Sequence, residues 1–253
     1  MEATFHWPSS MEAAVSLTYD DGLPIHTALV GPTLEQHGLR GTFYPPIPSD
    51  LRYHPEHWRH LAAAGHELGN HSIFHPCRRI PADQYAWLDA SYDLAAYSPA
   101  RLRAELDVAN FVLTLLDGKT ERTFGTTCCH TTIGQGAAEQ PIAPILADLF
   151  VAARGALTQQ PAVPSSMLGL HNVGCISADG RSLAELQALV AAAQAQRGWA
   201  VLMIHGVGRE THDLHLELDV HQQFIAWLAQ QPTLWVAPFL HVATYIQQHQ
   251  RPH

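Results

Sequence analysis

Lysine is all but missing from this chain: Lys119 is the only one among 253 residues, and it falls in the turn-like run Asp117-Gly118-Lys119-Thr120. A mechanism built on a buried Schiff-base lysine is therefore not expected. Basic residues are scarce altogether. Fourteen Lys and Arg stand against 23 Asp and Glu, a formal charge of −9 with histidine neutral. No Lys/Arg cluster offers the footprint that phosphate backbones require, so nucleic acid is not an expected partner. Long apolar runs are missing too, and none reaches the ~18 residues of a membrane span. The start, Met1-Glu2-Ala3-Thr4-Phe5-His6, has neither the basic nor the apolar region of a signal peptide. Cys77, Cys128, Cys129 and Cys175 are too few and too irregularly spaced for a disulfide scaffold or a CxxC zinc site. These absences lead to the expectation of a soluble, cytoplasmic protein without a membrane partner, its oligomeric state left open.

What is present is a large apolar fraction, 47%, beside only 15% charged residues. That composition supports an extensive core and argues against disorder. The length suits one or two domains, and a single barrel of alternating strands and helices fits it well. The chain is read as one domain over residues 1–253. Ala14–Tyr19, Gly41–Tyr44, His66–His71, Trp199–Ile204 and Leu234–Phe239 read as short strands. Helices are predicted over Glu56–Ala64, Pro99–Leu116, from Ser182 to near Gly198, Val220–Gln230 and His241–Gln248. Ser98 and Pro99 form a helix start with Gly118 just past its end, and Ser182-Leu183-Ala184-Glu185 is a capping box. Strand-then-helix order predicts a parallel α/β sheet, with seven or so strands favouring closure into a barrel. Segment 76–97 is irregular and reads as a surface excursion.

Histidine is the abundant residue: there are 18, more than Lys and Arg together. Three motifs stand where strands end, the place where parallel α/β folds gather function. Thr18-Tyr19-Asp20-Asp21-Gly22 sets two carboxylates side by side. Neighbours in an extended chain point opposite ways, so one can bind a metal while the other faces a substrate. His71-Ser72-Ile73-Phe74-His75-Pro76 spaces two histidines to share one metal. His205-Gly206-Val207-Gly208 follows an apolar strand and places a candidate general acid. Each alone has a plain alternative: a turn, two surface histidines, a core histidine. Together, one carboxylate and two histidines leave open positions on a metal, which is the catalytic kind of site. His37, His54, His57, His60, His212, His215, His221 and His249 read mostly as solvated-face residues.

These three motifs resemble those of the polysaccharide deacetylases with a NodB homology domain, carbohydrate esterase family 4, in order and spacing over residues 14–208. The resemblance implies a distorted (β/α)7 TIM-like barrel and a metal-dependent deacetylase acting on a carbohydrate or small-molecule substrate. It implies Asp20 as general base, His205 as general acid, and Asp21, His71 and His75 as ligands of a divalent metal, usually Zn²⁺ and in some relatives Co²⁺ or Ni²⁺. The family's third motif is altered here. Arg122-Thr123-Phe124-Gly125-Thr126-Thr127-Cys128-Cys129-His130 takes its place without the expected proline and aromatic. Arg122 is the candidate for the base-orienting arginine. Cys128 and Cys129 read either as small residues filling a strand end or, next to His130, as a nucleophile. The family's fourth motif, an aspartate with a tryptophan that tunes the catalytic histidine, is not located in the sequence, with Asp179 and Asn172 as its candidates. Three other readings stay open: a hydrolase of a non-sugar amide or cyclic ureide, a non-haem iron oxygenase using the same triad, and an inactive metal- or sugar-binding relative.

Overall fold

The computed structural model describes residues 5–81, 83–164 and 168–250. Met1–Thr4, the start of the segment compared with a signal peptide, lie outside them. The core strands are β1 (Ala13–Asp20), β2 (Thr42–Tyr44), β3 (Glu67–Leu68), β4 (Thr123–Gly125), β5 (Ala152–Leu157), β6 (Val173–Ser177) and β7 (Trp199–Ile204). They pair in parallel in the order β3-β2-β1-β7-β6-β5-β4. The two ends of this row meet through a parallel bridge between Asn70 and Phe124. Neighbours in the ring are therefore neighbours in sequence, as in a (β/α)7 barrel. An eighth strand, β8 (Leu234–Val236), pairs with Ala13–Val15 at the start of β1.

The main helices are α1 (Gly31–Gln36), α2 (Pro55–Ala63), α3 (Pro99–Asp117), α4 (Ala143–Ala147), α5 (Leu183–Gln196), α6 (Leu218–Leu228) and α7 (Phe239–His249), and a single turn over Asp50–Tyr53 precedes α2. Their ends follow local chemistry. The Ser98 hydroxyl accepts the Arg101 amide at 3.2 Å, Pro99 opens α3, and Gly118 closes it in the left-handed region at φ 73°. Leu102, Leu106, Ala109 and Leu113 make the buried stripe of this helix. The capping box of Ser182 and Glu185 opens α5. Several predicted boundaries move. The strand predicted over His66–His71 keeps only Glu67–Leu68. The last strand stops at Val236 and Phe239 already belongs to α7, where it packs against Trp199. The helix predicted over Val220–Gln230 runs Leu218–Leu228 instead. Segment 76–97 is an excursion as predicted, with two short turns of 3₁₀ helix.

Every residue of β1 is buried, because both faces of a barrel strand are covered. Ala13, Val15, Leu17 and Tyr19 join the apolar layer under the helices, with Leu34, Trp58, Val190 and Phe224. The alternate residues face the barrel interior, where Ala14 joins an apolar cluster with Trp199, Val201 and Met203 and the other three are polar. There the Ser16 hydroxyl donates to the Ala237 carbonyl, Thr18 to that of Leu202, and Arg154 reaches Thr18 and Asp20 from β5. Nearby, the hydroxyls of Thr42 and Thr123 bond the Glu67 carboxylate, and Tyr44 meets Thr123 at 2.8 Å. This inward register delivers Asp20 to the mouth of the barrel as the last residue of its strand.

Candidate active site

The mouth opens into a cavity of about 960 Å³, lined among others by Asp20, Asp21, His75, Trp87, Cys129, Met203, His205 and His212. The chain turns sharply around it. Of the non-glycine residues with positive φ, Asp21, Ser72, His75, Cys128 and Cys129 all border this region. Such strain gathers where a fold is held to a functional geometry.

Three of the five motif residues form one cluster. Asp21 Oδ1 lies 3.1 Å from His75 Nε2 and 3.6 Å from His71 Nε2. His71 Nδ1 donates to the Gly125 carbonyl at 2.7 Å, which leaves Nε2 with its lone pair. That nitrogen is buried and has no hydrogen-bond partner. Gly125 has to be glycine here, since a Cβ would come within 2.9 Å of the Tyr44 ring. The spacings bracket the roughly 3.3 Å expected between ligands bound at about 2.0–2.1 Å to one tetrahedral ion. The set of two neutral nitrogens and one carboxylate, with an orphaned buried nitrogen, fits a divalent metal. The imidazoles also hold the Asp21 carboxyl well below the usual range, against the upward push of burial.

Asp20 sits beside this cluster and is held by an arginine. The arginine is Arg154, whose Nη1 and Nη2 donate to Oδ1 at 2.7 Å and Oδ2 at 2.5 Å. Its guanidinium lies 5.0 Å from the centre of the Tyr44 ring. Burial would raise the Asp20 pKa, but the charges of Arg154 and His71 outweigh it and keep it lowered. Arg122, the candidate from sequence, is elsewhere. It precedes β4, at the opposite end of the barrel, where it binds both oxygens of Asp117 and the carbonyls of Leu68 and Lys119. The two arginines have the same chemistry, and nothing local in sequence separates their partners. The missed signal was Arg154 itself, the lone charge in the apolar strand Ala152–Leu157.

His205 follows β7 and meets Asp179, whose Oδ2 lies 2.7 Å from Nδ1 and whose Oδ1 accepts the His205 amide at 3.0 Å. Burial alone would lower the His205 pKa; the Asp179 hydrogen bond and the nearby carboxylates push it up to about 9. His26 steadies the same residue from below. Its Nδ1 accepts the Leu23 amide, so Nε2 carries the proton and donates to the His205 carbonyl at 2.8 Å. Asn172 is not part of this arrangement; its side chain accepts the Ala156 amide on β5. His212, read as a solvated residue, instead stacks on His205 at 5.4 Å and lies 3.7 Å from Asp21. His221, also read as a solvated residue, is instead buried, against the Tyr19 hydroxyl at 3.0 Å.

The cysteines differ from expectation as well. Cys77 and Cys128 form a disulfide that ties the His75 loop to the altered third motif. Cys128 is thereby removed as a nucleophile. Cys129 packs 3.8 Å from Cys175 and 3.5 Å from Met203, and that thiol contact together with burial pushes its pKa up. A raised pKa disfavours the thiolate that nucleophilic attack needs.

Residues 9–128 match the family model for polysaccharide deacetylase. The resemblance read from the motifs is borne out. The match includes Asp20, Asp21, His71 and His75 and ends before Arg154, Asp179 and His205. The fold is similar to that of a putative polysaccharide deacetylase from Mycobacterium smegmatis, 18% identical, with a TM-score of 0.68 over 100% of this chain and 97% of that one. An allantoinase is 14% identical with a TM-score of 0.64, over 99% and 96% of the two chains. A family 4 acetyl xylan esterase from Clostridium thermocellum, solved with a cobalt ion, is 17% identical with a TM-score of 0.56 over 95% and 97%. Among curated proteins, a gellan lyase from a Bacillus species is 24% identical over 270 residues, 98% of this chain. The chain spans only 10% of that relative's length. The neighbours agree with the barrel predicted from the motifs. Among the described residues no helix is long and apolar enough to cross a membrane.

Proposed function

We propose that the chain is a metal-dependent hydrolase that removes the N-acetyl group from an amino sugar. The observation that carries this reading is the convergence at one barrel mouth of the Asp21, His71 and His75 ligand set, an arginine-held Asp20 and an aspartate-held His205. Asp21, His71 and His75 would hold a divalent cation, which would supply Lewis-acid chemistry at the acyl oxygen and at a water. Zn²⁺ is the ion proposed for this nitrogen and oxygen set, with Co²⁺ and Ni²⁺ as substitutes.

The protein's own residues do the rest. Arg154 keeps Asp20 ionised and fixed, so that Asp20 takes the proton of the attacking water. Asp179 orients His205 through Nδ1 and leaves Nε2 free for the cavity. With its pKa raised, His205 carries a proton at neutral pH and gives it to the departing amine nitrogen. Acetate and the free amine result. The walls suit a substrate with an apolar face: Trp87 and Phe74 are 62% and 43% exposed at the rim, with Leu157 and Leu214 among the other lining side chains. Among the described residues no Lys or Arg lines the cavity, which disfavours a phosphorylated substrate.

The test is acetate release from N-acetylglucosamine oligomers by Zn²⁺-loaded protein. Turnover that chelation abolishes and Zn²⁺ restores is the expected result. No acetate from any N-acetylated sugar under those conditions overturns the substrate. A second reading, hydrolysis of a cyclic ureide, draws on the fold similarity to the allantoinase. A cavity of about 960 Å³ is far roomier than so small a ring needs, which ranks it second. Ureide turnover without acetate release would reverse that order.

A further inference from the structure

Beyond the hydrolytic ligand set, His75 belongs to a second group of donors. His75, Cys77 and Cys128 place their ligand atoms within 4.8 Å of one another. The imidazole serves both sides: Nε2 faces Asp21 at 3.1 Å, while Nδ1 faces the Cys77 sulfur at 3.6 Å. A nitrogen and a sulfur bound at about 2.0 and 2.3 Å to one tetrahedral ion stand roughly 3.5 Å apart. What prevents metal binding here is the bond between the two sulfurs. Cutting it would not pull the loops apart. Thr127 Oγ1 donates to the Pro76 carbonyl, the Arg78 amide donates to His130 Nδ1 at 3.0 Å, and Arg78 Nη1 donates to Thr132 Oγ1 at 2.8 Å. Cys77 is buried, but Cys128 lines the cavity, so a small reductant can reach its sulfur.

We propose that the reduced chain holds a second metal site, built from the thiolates of Cys77 and Cys128 and Nδ1 of His75, for a thiophilic d¹⁰ ion of the Zn²⁺ class. A dithiol reductant opens the site by exchange: its sulfur attacks Cys128, the Cys77 thiolate leaves, and the second thiol closes the reductant's own disulfide. Two electrons pass to the protein. The two thiols then yield their protons as the metal binds. Two soft donors and an imidazole leave one position for water, and thiolates favour such an ion over the harder divalent metals. A reducing compartment, where disulfides are rare, would favour this state.

Cobalt tests it independently of hydrolysis, because the hydrolytic ligand set contains no sulfur. The full chain is titrated with Co²⁺ without oxygen, first oxidised and then after reduction with a phosphine. The phosphine takes an oxygen from water to become its oxide and leaves two thiols. Thiolate-to-cobalt absorption in the near ultraviolet is expected only after reduction. It should vanish in Cys77→Ser and in Cys128→Ser and persist in Cys129→Ser. No band in the reduced protein, a band that survives Cys77→Ser, or one lost in Cys129→Ser overturns the site. Should the serine variants fail to fold, the reduced wild-type chain decides by alkylation: Zn²⁺ should slow labelling of Cys77 and Cys128 at least tenfold. Unchanged labelling rules the site out.

Discussion

Two buried arginine–aspartate pairs sit at opposite ends of this barrel. Arg154 grips Asp20 at the mouth and Arg122 grips Asp117 at the base, each through both guanidinium nitrogens of the fork. Chemically they are the same pair. They differ in what else the carboxylate meets. Asp117 is enclosed with backbone carbonyls of Leu68 and Lys119 as the other guests of its arginine. Asp20 borders a cavity, the His71 imidazole of the proposed ligand set, and His205. The same fork thus locks a loop at one end and holds the proposed base at the other. Role is assigned by the neighbours of the pair, not by the pair.

Removing the carboxylates should separate the two most sharply. Asp20→Asn is expected to lower kcat by roughly 10³-fold, within the usual range for a general base. Its metal content should stay the same, since Asp20 is outside the proposed ligand set. Asp117→Asn should leave kcat within about threefold and lower thermal stability instead, the ordinary result of weakening a buried pair. Steady-state kinetics with metal analysis checks both, and comparable kcat losses in the two variants would break the distinction.

The arginines give a smaller but more diagnostic contrast. Arg154→Met should cost on the order of 10²-fold in kcat, because Asp20 loses its orientation while remaining present. Arg122→Met should cost about 3–5 kcal/mol of stability, the usual price of stranding a buried charge. Its folded fraction should turn over normally. Denaturant unfolding and active-fraction kinetics separate the two effects.

The choice of Arg122 from sequence shows what was legible and what was not. Asp20 with Asp21, His71 with His75, and His205 each sit in a short motif at a strand end. Their chemistry is therefore visible locally, and the barrel brings the motifs together. Arg154 acts across 134 residues on a strand that is not adjacent to β1. Its role depends on the inward register of two strands, which no local pattern states. The disulfide was missed for the same reason, since Cys77 and Cys128 are 51 residues apart and meet only because both loops rise at the mouth. Helix ends were read closely because capping is local: Ser98 with Gly118, and Ser182 with Glu185.

The mouth also contains a carboxylate that acts on a histidine. His205 holds a proton up to about pH 9 because Asp179 and the nearby carboxylates outweigh burial. As a donor it should keep activity constant below that value and lose it as pH rises through it. The stability that this shift contributes has the same sign: it is complete below the ordinary histidine pKa near 6.5 and is lost through about 9. Asp179→Asn keeps the shape and removes the charge. The alkaline limb of kcat should then move down by a unit or more toward 6.5, with roughly tenfold lower kcat at pH 8. A limb that stays in place would mean another group titrates there.

The smallest effect on catalysis, and the opposite pH sign, is expected from histidines buried under the helices. His26 and His221 are pushed down to about 4, chiefly by burial, and stay neutral at working pH. The unfolded chain protonates them near 6.5 while the folded chain does not. The unfolded state therefore binds more protons between about pH 4 and 6.5, and stability must fall as pH falls through that window. Each such residue steepens the slope by about 1.4 kcal/mol per pH unit where its two states differ by a full proton. His221→Gln retains a polar partner for the Tyr19 hydroxyl without a titrating ring. It should flatten the slope of unfolding free energy between pH 5 and 6 by up to that amount while kcat at pH 7.5 stays within about twofold. His26 is the harder case, because its Nε2 proton also supports the His205 carbonyl. In His26→Gln the same flattening should come with a several-fold loss of kcat, which would mark where the structural histidines end and the site begins.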